Sequence, residues 1–113
     1  MSDSRPGLLL RIHCSESDQF EGKPLYEAIV QKCRDMHMAG ATVFRGLEGF
    51  GDSAAMHRPH AFRHDQPIII TVVDSEENIR RLVPVIEPLL HTGLLTLSPV
   101  EIRGRGDGPG QIS

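Results

Sequence analysis

Tryptophan is absent from the 113 residues, tyrosine occurs once, at Tyr26, and aromatic side chains make up 4% of the chain. RNA-binding sheets of comparable size stack bases on aromatic residues. The two best strand candidates here, LLLRIHC and PIIITVV, carry none, so recognition of that type is disfavoured. Cysteine is equally scarce. Cys14 and Cys33 lack C-x-x-C spacing, which fits buried thiols in a reducing compartment better than a disulfide scaffold or a redox pair. Uninterrupted apolar stretches are short, as at Leu8 to Leu10 and Ile68 to Ile70, whereas a membrane span needs roughly 20 residues. Residues 1–7, with Asp3 and Arg5 among small and polar neighbours, do not form a basic start followed by an apolar run, so no secretory leader is expected. These absences point to a cytoplasmic protein that does not insert into a membrane.

Positive charge is also in short supply. Twelve Lys plus Arg stand against 15 Asp plus Glu, for a net charge of −3, and without a concentrated cationic face wholesale binding to a nucleic-acid backbone is disfavoured. What basic charge there is comes mainly from arginine, with only Lys23 and Lys32 as lysines. Such a bias suits planar, bidentate recognition of small anions. The run 56–64 (MHRPHAFRH) concentrates two arginines and three histidines with no acid.

The length fits one domain over residues 1–113, able to bury a core without staples. Leu8, Leu10, Ile12 and Cys14 alternate with Leu9, Arg11 and His13, the period of a strand with one apolar face. A polar loop over 15–23 leads to Pro24, well placed to start a helix. Leu25, Ala28, Ile29, Cys33, Met36 and Ala39 then repeat at helical spacing as far as a closing Gly40. Residues 41–47 are β-prone, and Gly46 would weaken a regular strand unless it marks a bulge. The stretch 48–66 is irregular, and connections of such length are usually functional. Pro67–Asp74 reads as a strand covered on both faces, and Asp74 with Glu77 has capping-box spacing for a second helix. Ile79, Leu82, Val83, Ile86, Leu89 and Leu90 form that helix's buried stripe, with kinks expected at Pro84 and Pro88. After Gly93, Leu95, Leu97, Val100 and Ile102 make a last strand whose change of parity across Ser98 and Pro99 predicts a bulge. Residues 1–6 and 106–113 are expected to be loose ends.

The element order β-α-β-β-α-β defines an α+β, ferredoxin-like sandwich, a four-stranded antiparallel sheet with two helices on one face. With apolar residues on both parities of 68–73, the uncovered face is expected to meet another subunit.

Function is less directly written. No nucleophile with an identifiable base and no carboxylate pair stands out, so the chain is not expected to be an enzyme. Ser53 reads as a turn residue, Cys33 as core, and His37 as a favourable charge at a helix C-terminus. Gly49, Phe50 and Gly51 allow close backbone approach and an anion nest at the base of the long loop. Arg103 and Arg105, on glycine spacers after the last strand, could reach phosphate oxygens. His57, His60 and His64 offer a zinc or copper alternative, against a reading of the same loop as a solvated, anion-attracting segment. A small acyl phosphate hydrolase using Arg11 or Arg45 ranks last, since the acidic loop SESDQFEG would repel such a substrate.

The runs ESDQFEGKPLYEAIV (16–30), AGATVFRGLEGFG (39–51) and IIITVVDSEENI (68–79), with the closing residues 94–103, resemble the PII-like signalling family also known as domain of unknown function 190. The resemblance implies a homotrimer of ferredoxin-like subunits with ligand clefts between neighbours. It also implies a long loop that reports occupancy to a partner, a membrane transporter or channel being the partner class. Residue by residue, it marks Thr42, Gly49, Phe50, Gly51, Thr92, Gly93, Arg103 and Arg105 as ligand-binding. The implied ligand is an adenine nucleotide, ADP, AMP or ATP, or a related small anion. Asp52 and Ser53 replace an Arg-Gln pair of PII, one extra residue stands between Gly40 and Gly49, and the Gly-Asp-Gly-Lys phosphate loop is missing after Gly93. These departures favour ligands that need fewer phosphate contacts. Uridylylation of the loop is excluded by composition, because Tyr26 lies on the first helix.

Overall fold

The alternation that begins at Leu8 becomes the centre of the sheet in the computed structural model, which describes residues 4–47 and 65–104. Strand β1 (Ser4–Ser15) directs Leu8, Leu10, Ile12 and Cys14 into the core. After the short strands β2 (Gln19–Phe20) and β3 (Lys23–Pro24) come helix α1 (Leu25–Asp35) and strand β4 (Thr42–Arg45). Strand β5 (Pro67–Asp74), helix α2 (Glu76–Ile86), a 3-10 turn (Glu87–Leu89) and strand β6 (Leu94–Arg103) follow. The four-stranded sheet has the order β4-β5-β1-β6 and every pairing is antiparallel. This is the ferredoxin-like arrangement. Leu10, Ile12, Ile29, Ile70, Ile79, Leu82 and Ile86 are fully buried where the helices meet the sheet, each contributing about 1.5–3 kcal/mol relative to exposure.

Strand β1 starts earlier than its apolar pattern. Residues 4–6, expected to be loose, pair with Arg103, Ile102 and Glu101. The loop expected over 15–23 contains a small hairpin, in which Gln19 and Phe20 pair with Pro24 and Lys23. Its turn sits at Glu21 and Gly22, both at positive φ.

Helix α1 ends before the glycine expected to close it. His37 takes a left-handed φ of 59°. Its amide donates to the Arg34 carbonyl, while the Met38 amide donates to the Cys33 carbonyl. Those two bonds are a Schellman motif, sealed by the buried pair Cys33 and Met38. His37 therefore occupies the position where glycine normally relieves side-chain strain. We expect His37→Gly to stabilise the fold by about 0.5–1 kcal/mol and His37→Ala not to, as read from urea denaturation midpoints.

Helix α2 begins differently from the expected capping box. Ser75 is the N-cap, its Oγ accepting from the Asn78 amide at 3.2 Å. Asp74 instead accepts from the Ala39 amide at 2.8 Å, the Ser75 amide at 2.7 Å and Asn78 Nδ2 at 2.9 Å. A carboxylate at the end of a buried strand is thus the tie between the α1–β4 connection and the start of α2. Helix α2 runs without interruption through Pro84, which is exposed and has no N–H to leave unpaired. Pro88 lies within the 3-10 turn that follows.

The bulge expected in β6 is absent, and Gly46 does not mark one either. Strand β6 keeps one register with β1 from Leu94 to Arg103. The parity change is nonetheless real: Leu95 and Leu97 join the core, whereas Ile102 lies on the opposite face, buried over Gly7, where any Cβ would overlap its Cδ1. Gly46 does not bulge β4 but follows its last residue, its amide donating to the Pro67 carbonyl at 2.7 Å. In the single chain β5 is covered on one face only. Ile68, Ile70 and Val72 are buried, and Pro67, Ile69, Thr71 and Val73 are half-exposed.

Candidate ligand-binding site

Strand pairing places the sequence-derived site residues far apart within one chain. Thr42 begins β4, at one edge of the sheet, and is exposed. Thr92 and Gly93 precede β6, at the opposite edge. Neighbouring strands lie about 4.8 Å apart, so these edges are separated by about 14 Å. Gly93 crosses β1 so closely that a Cβ would overlap the His13 carbonyl oxygen. Arg103 stands at the far end of β6, about 30 Å along the strand from Gly93 at ordinary strand rise. Rather than extending on a spacer, it is part of the strand and contacts Glu101 Oε2 at 3.1 Å. Gly49, Phe50, Gly51 and Arg105 lie outside the described residues, as do His57, His60 and His64. Among the described residues, no cluster of His, Cys, Asp and Glu could hold a metal ion. The hydrolase candidates do not converge either, since Arg45 pairs opposite buried Ile68 and Arg11 opposite Thr71 on the other sheet face.

On the Thr42 side, an open cavity of about 380 Å³ lies at the C-terminal end of α1, lined by Val30, Cys33, Arg34, Met38 and Ala41 among others. Its lining is mainly apolar, with Arg34 as the one charged residue among those lining it.

A further cluster lies outside the residues the sequence marks as ligand-binding. The turn at Glu16, Ser17 and Asp18 binds the chain on both sides of 48–64. Arg45 Nη2 lies 2.6 Å from Glu16 Oε2. From the other side, Asp65 Oδ1 accepts from Ser17 Oγ at 2.7 Å, and the Gln66 carbonyl accepts from the Glu16 amide at 2.8 Å. Asp18 braces the turn itself, accepting from the Ser15 amide at 2.9 Å. Exposed ion pairs such as Arg45–Glu16 contribute about 0–1 kcal/mol, so the buried Asp65 is the firmer of the two attachments. The E-S-D run was visible as a motif, but its partners are about 30 and 50 residues away in sequence, beyond any local signal.

Both cysteines are free and buried. Burial, with the Asp18 charge as a lesser cause, pushes the Cys14 thiol up to about 12, and burial pushes Cys33 to about 11. Nucleophilic or redox chemistry at neutral pH needs the thiolate, which the fold disfavours at both positions. The folded chain therefore keeps two protons that the unfolded chain releases above the ordinary thiol value of 9.0. The resulting stabilisation is complete below that pH and is lost as pH rises toward the folded values. Urea midpoints are expected to fall from about pH 9 upward, and iodoacetamide should label both thiols only when urea is present.

The chain matches the family model DUF190, described as Uncharacterized ACR, COG1993, over residues 7–102. It is 38% identical over 96 residues to a UPF0166 protein of Aquifex aeolicus (strain VF5), an alignment covering 83% of this chain and 90% of the relative. Among solved structures it resembles CPII from Thiomonas intermedia K12, a nitrogen regulatory PII-like protein. The apo form gives a TM-score of 0.66 at 18% identity, covering 93% of this chain and 100% of CPII. CPII bound to ADP and bicarbonate gives 0.67 at 20% identity, covering 88% and 91%. The element order, the sheet order and the matched residues lead to one conclusion: this chain belongs to the DUF190 family and has the PII-like, ferredoxin-like fold.

Proposed function

We propose that this protein is a non-enzymatic, cytoplasmic regulator that assembles as a homotrimer and binds an adenine nucleotide in clefts between subunits. The observation that carries this reading is the placement of Thr42 and of Thr92 with Gly93 at opposite sheet edges. Residues so placed come together around one ligand where the edge of one copy meets the opposite edge of its neighbour. CPII, which has the same fold, binds ADP with bicarbonate, and ADP and AMP with acetate. ADP or AMP suits a chain without the PII phosphate loop after Gly93, and ATP is the larger candidate. Gly49, Phe50 and Gly51 would supply backbone amides to the phosphates, and Arg103 and Arg105, at the far end of β6 from Gly93, would be cationic partners from a copy other than the one supplying Gly93.

Ligand binding would bias the segment 48–66 through its attachments to the Glu16 turn. A coupling of about 1–3 kcal/mol is sufficient for such a response, provided the ligand prefers one state of the segment. The partner that reads this state is a membrane transporter or channel. Native mass spectrometry of the full chain with ADP, AMP and ATP tests the reading. A trimer gaining one nucleotide per subunit is the expected result, and a monomer or dimer that takes up none contradicts it.

A further inference from the structure

The sheet face opposite the helices is organised in rows. Following the pairing across all four strands, Phe44, Ile69, His13 and Leu94 stand abreast. The next row on that face is Thr42, Thr71, Arg11 and Thr96, and the row beyond it contains Val73, Leu9 and Ser98. Arg11 is thus a cation in the middle of the face, directly flanked by two threonines, with apolar residues above and below. Its side chain is exposed and has no ion pair or hydrogen bond among the described residues. No Asp or Glu of the four strands shares this face with it.

Those facts constrain what can cover the face. Phe44 and Leu94 are 53% and 56% exposed, so the apolar row is left without a partner in the single chain. Covering it removes water from Arg11, whose guanidinium cannot shed its charge, and a desolvated cation without a counter-charge is strongly unfavourable. A second copy presenting the same face brings another Arg11, another His13 and more hydroxyls, but no carboxylate from its four strands. Among the described residues of the four strands, nothing on this face supplies the missing negative charge, and a bound anion would.

We propose that copies of this chain meet through this face and hold a small oxyanion between them, bound by Arg11 with the Thr71 and Thr96 hydroxyls as further donors. The assignment rests on the oligomer proposed above and concerns a site separate from the nucleotide cleft. The ligand class is a tetrahedral or trigonal oxyanion, such as phosphate or bicarbonate. A guanidinium binds such an ion through two parallel N–H donors, and hydroxyls at cross-strand distance complete its shell.

The test uses the full chain in buffer free of phosphate, sulfate and bicarbonate, with inorganic phosphate then added, read by sedimentation velocity and thermal unfolding. Phosphate is expected to raise both the oligomer fraction and the melting temperature of the natural sequence. Arg11→Leu should assemble without phosphate and no longer respond to it, and Arg11→Lys should respond at about tenfold higher phosphate. ADP uptake by Arg11→Leu should be unchanged. A phosphate-independent oligomer overturns this inference and leaves the oligomer standing, whereas a monomer under every condition overturns both. An Arg11→Leu chain that responds to phosphate like the natural one, or that loses ADP, also overturns it.

Discussion

Gly93→Ala is expected to lower the melting temperature by about 12 °C or more, corresponding to about 3 kcal/mol. The new Cβ would overlap the His13 carbonyl oxygen, with the His13 carbonyl carbon 3.4 Å and Cys14 Cα 3.6 Å away. All three are backbone atoms of the central strand, paired to β5 on one side and β6 on the other. A side chain could rotate aside, but this backbone cannot move without breaking its ladders. Gly22→Ala is the matched control: a Cβ there meets nothing within 4 Å, and the cost is confined to its positive φ of 84°. About 1 kcal/mol is expected for that change, measured by circular dichroism melting of both variants. Equal losses would show that the contact at Gly93 is not what requires glycine. If the Gly93 variant is kept folded at low temperature, its nucleotide affinity separates the packing role of this residue from its proposed place in the cleft.

Asp74→Ala should cost about 3–5 kcal/mol. The loss is large because three donors converge on this one buried carboxylate, and the Ala39 amide, itself buried, is among them. Asp74→Asn keeps one carbonyl oxygen and should cost about half as much, because an amide NH2 faces at least one donor it cannot accept from. Urea denaturation of the two variants measures the difference. A loss below about 1 kcal/mol for the alanine variant would mean that water replaces the carboxylate, and that the α1–β4 connection is not held from β5.

These two residues also show where sequence reading succeeds and where it stops. Strand β1 and both helices were legible because each buries one face of a regular element, so that apolar residues repeat at the element's own period, whereas β5 was legible as a continuous β-branched run that did not reveal which face is buried. Asp74 looked like half of a capping box because its spacing to Glu77 is right. Besides the local Ser75 and Asn78 it holds Ala39, 35 residues away, and no local pattern encodes that contact. His37 concealed the end of α1, since a Schellman motif is normally signalled by glycine. The apparent bulge in β6 came from reading parity in one strand alone. Gly7 on β1 makes room for Ile102 on the other face, and that exchange is visible only once the strands are paired. The site residues were named by motif, but their separation across the sheet depends on strand order, and that order is why the proposed cleft is one between copies.

The most direct test of the central claim is therefore complementation between subunits. Thr42→Glu and Thr92→Glu chains, each expected to repel a phosphate-bearing ligand, are mixed, unfolded and refolded together, and ADP uptake is then measured by equilibrium dialysis. If the cleft takes Thr42 from one copy and Thr92 from its neighbour, each variant alone binds little ADP and random assortment restores about a quarter of the sites. A mixture that binds no more ADP than the two variants measured separately would contradict a nucleotide site shared between subunits.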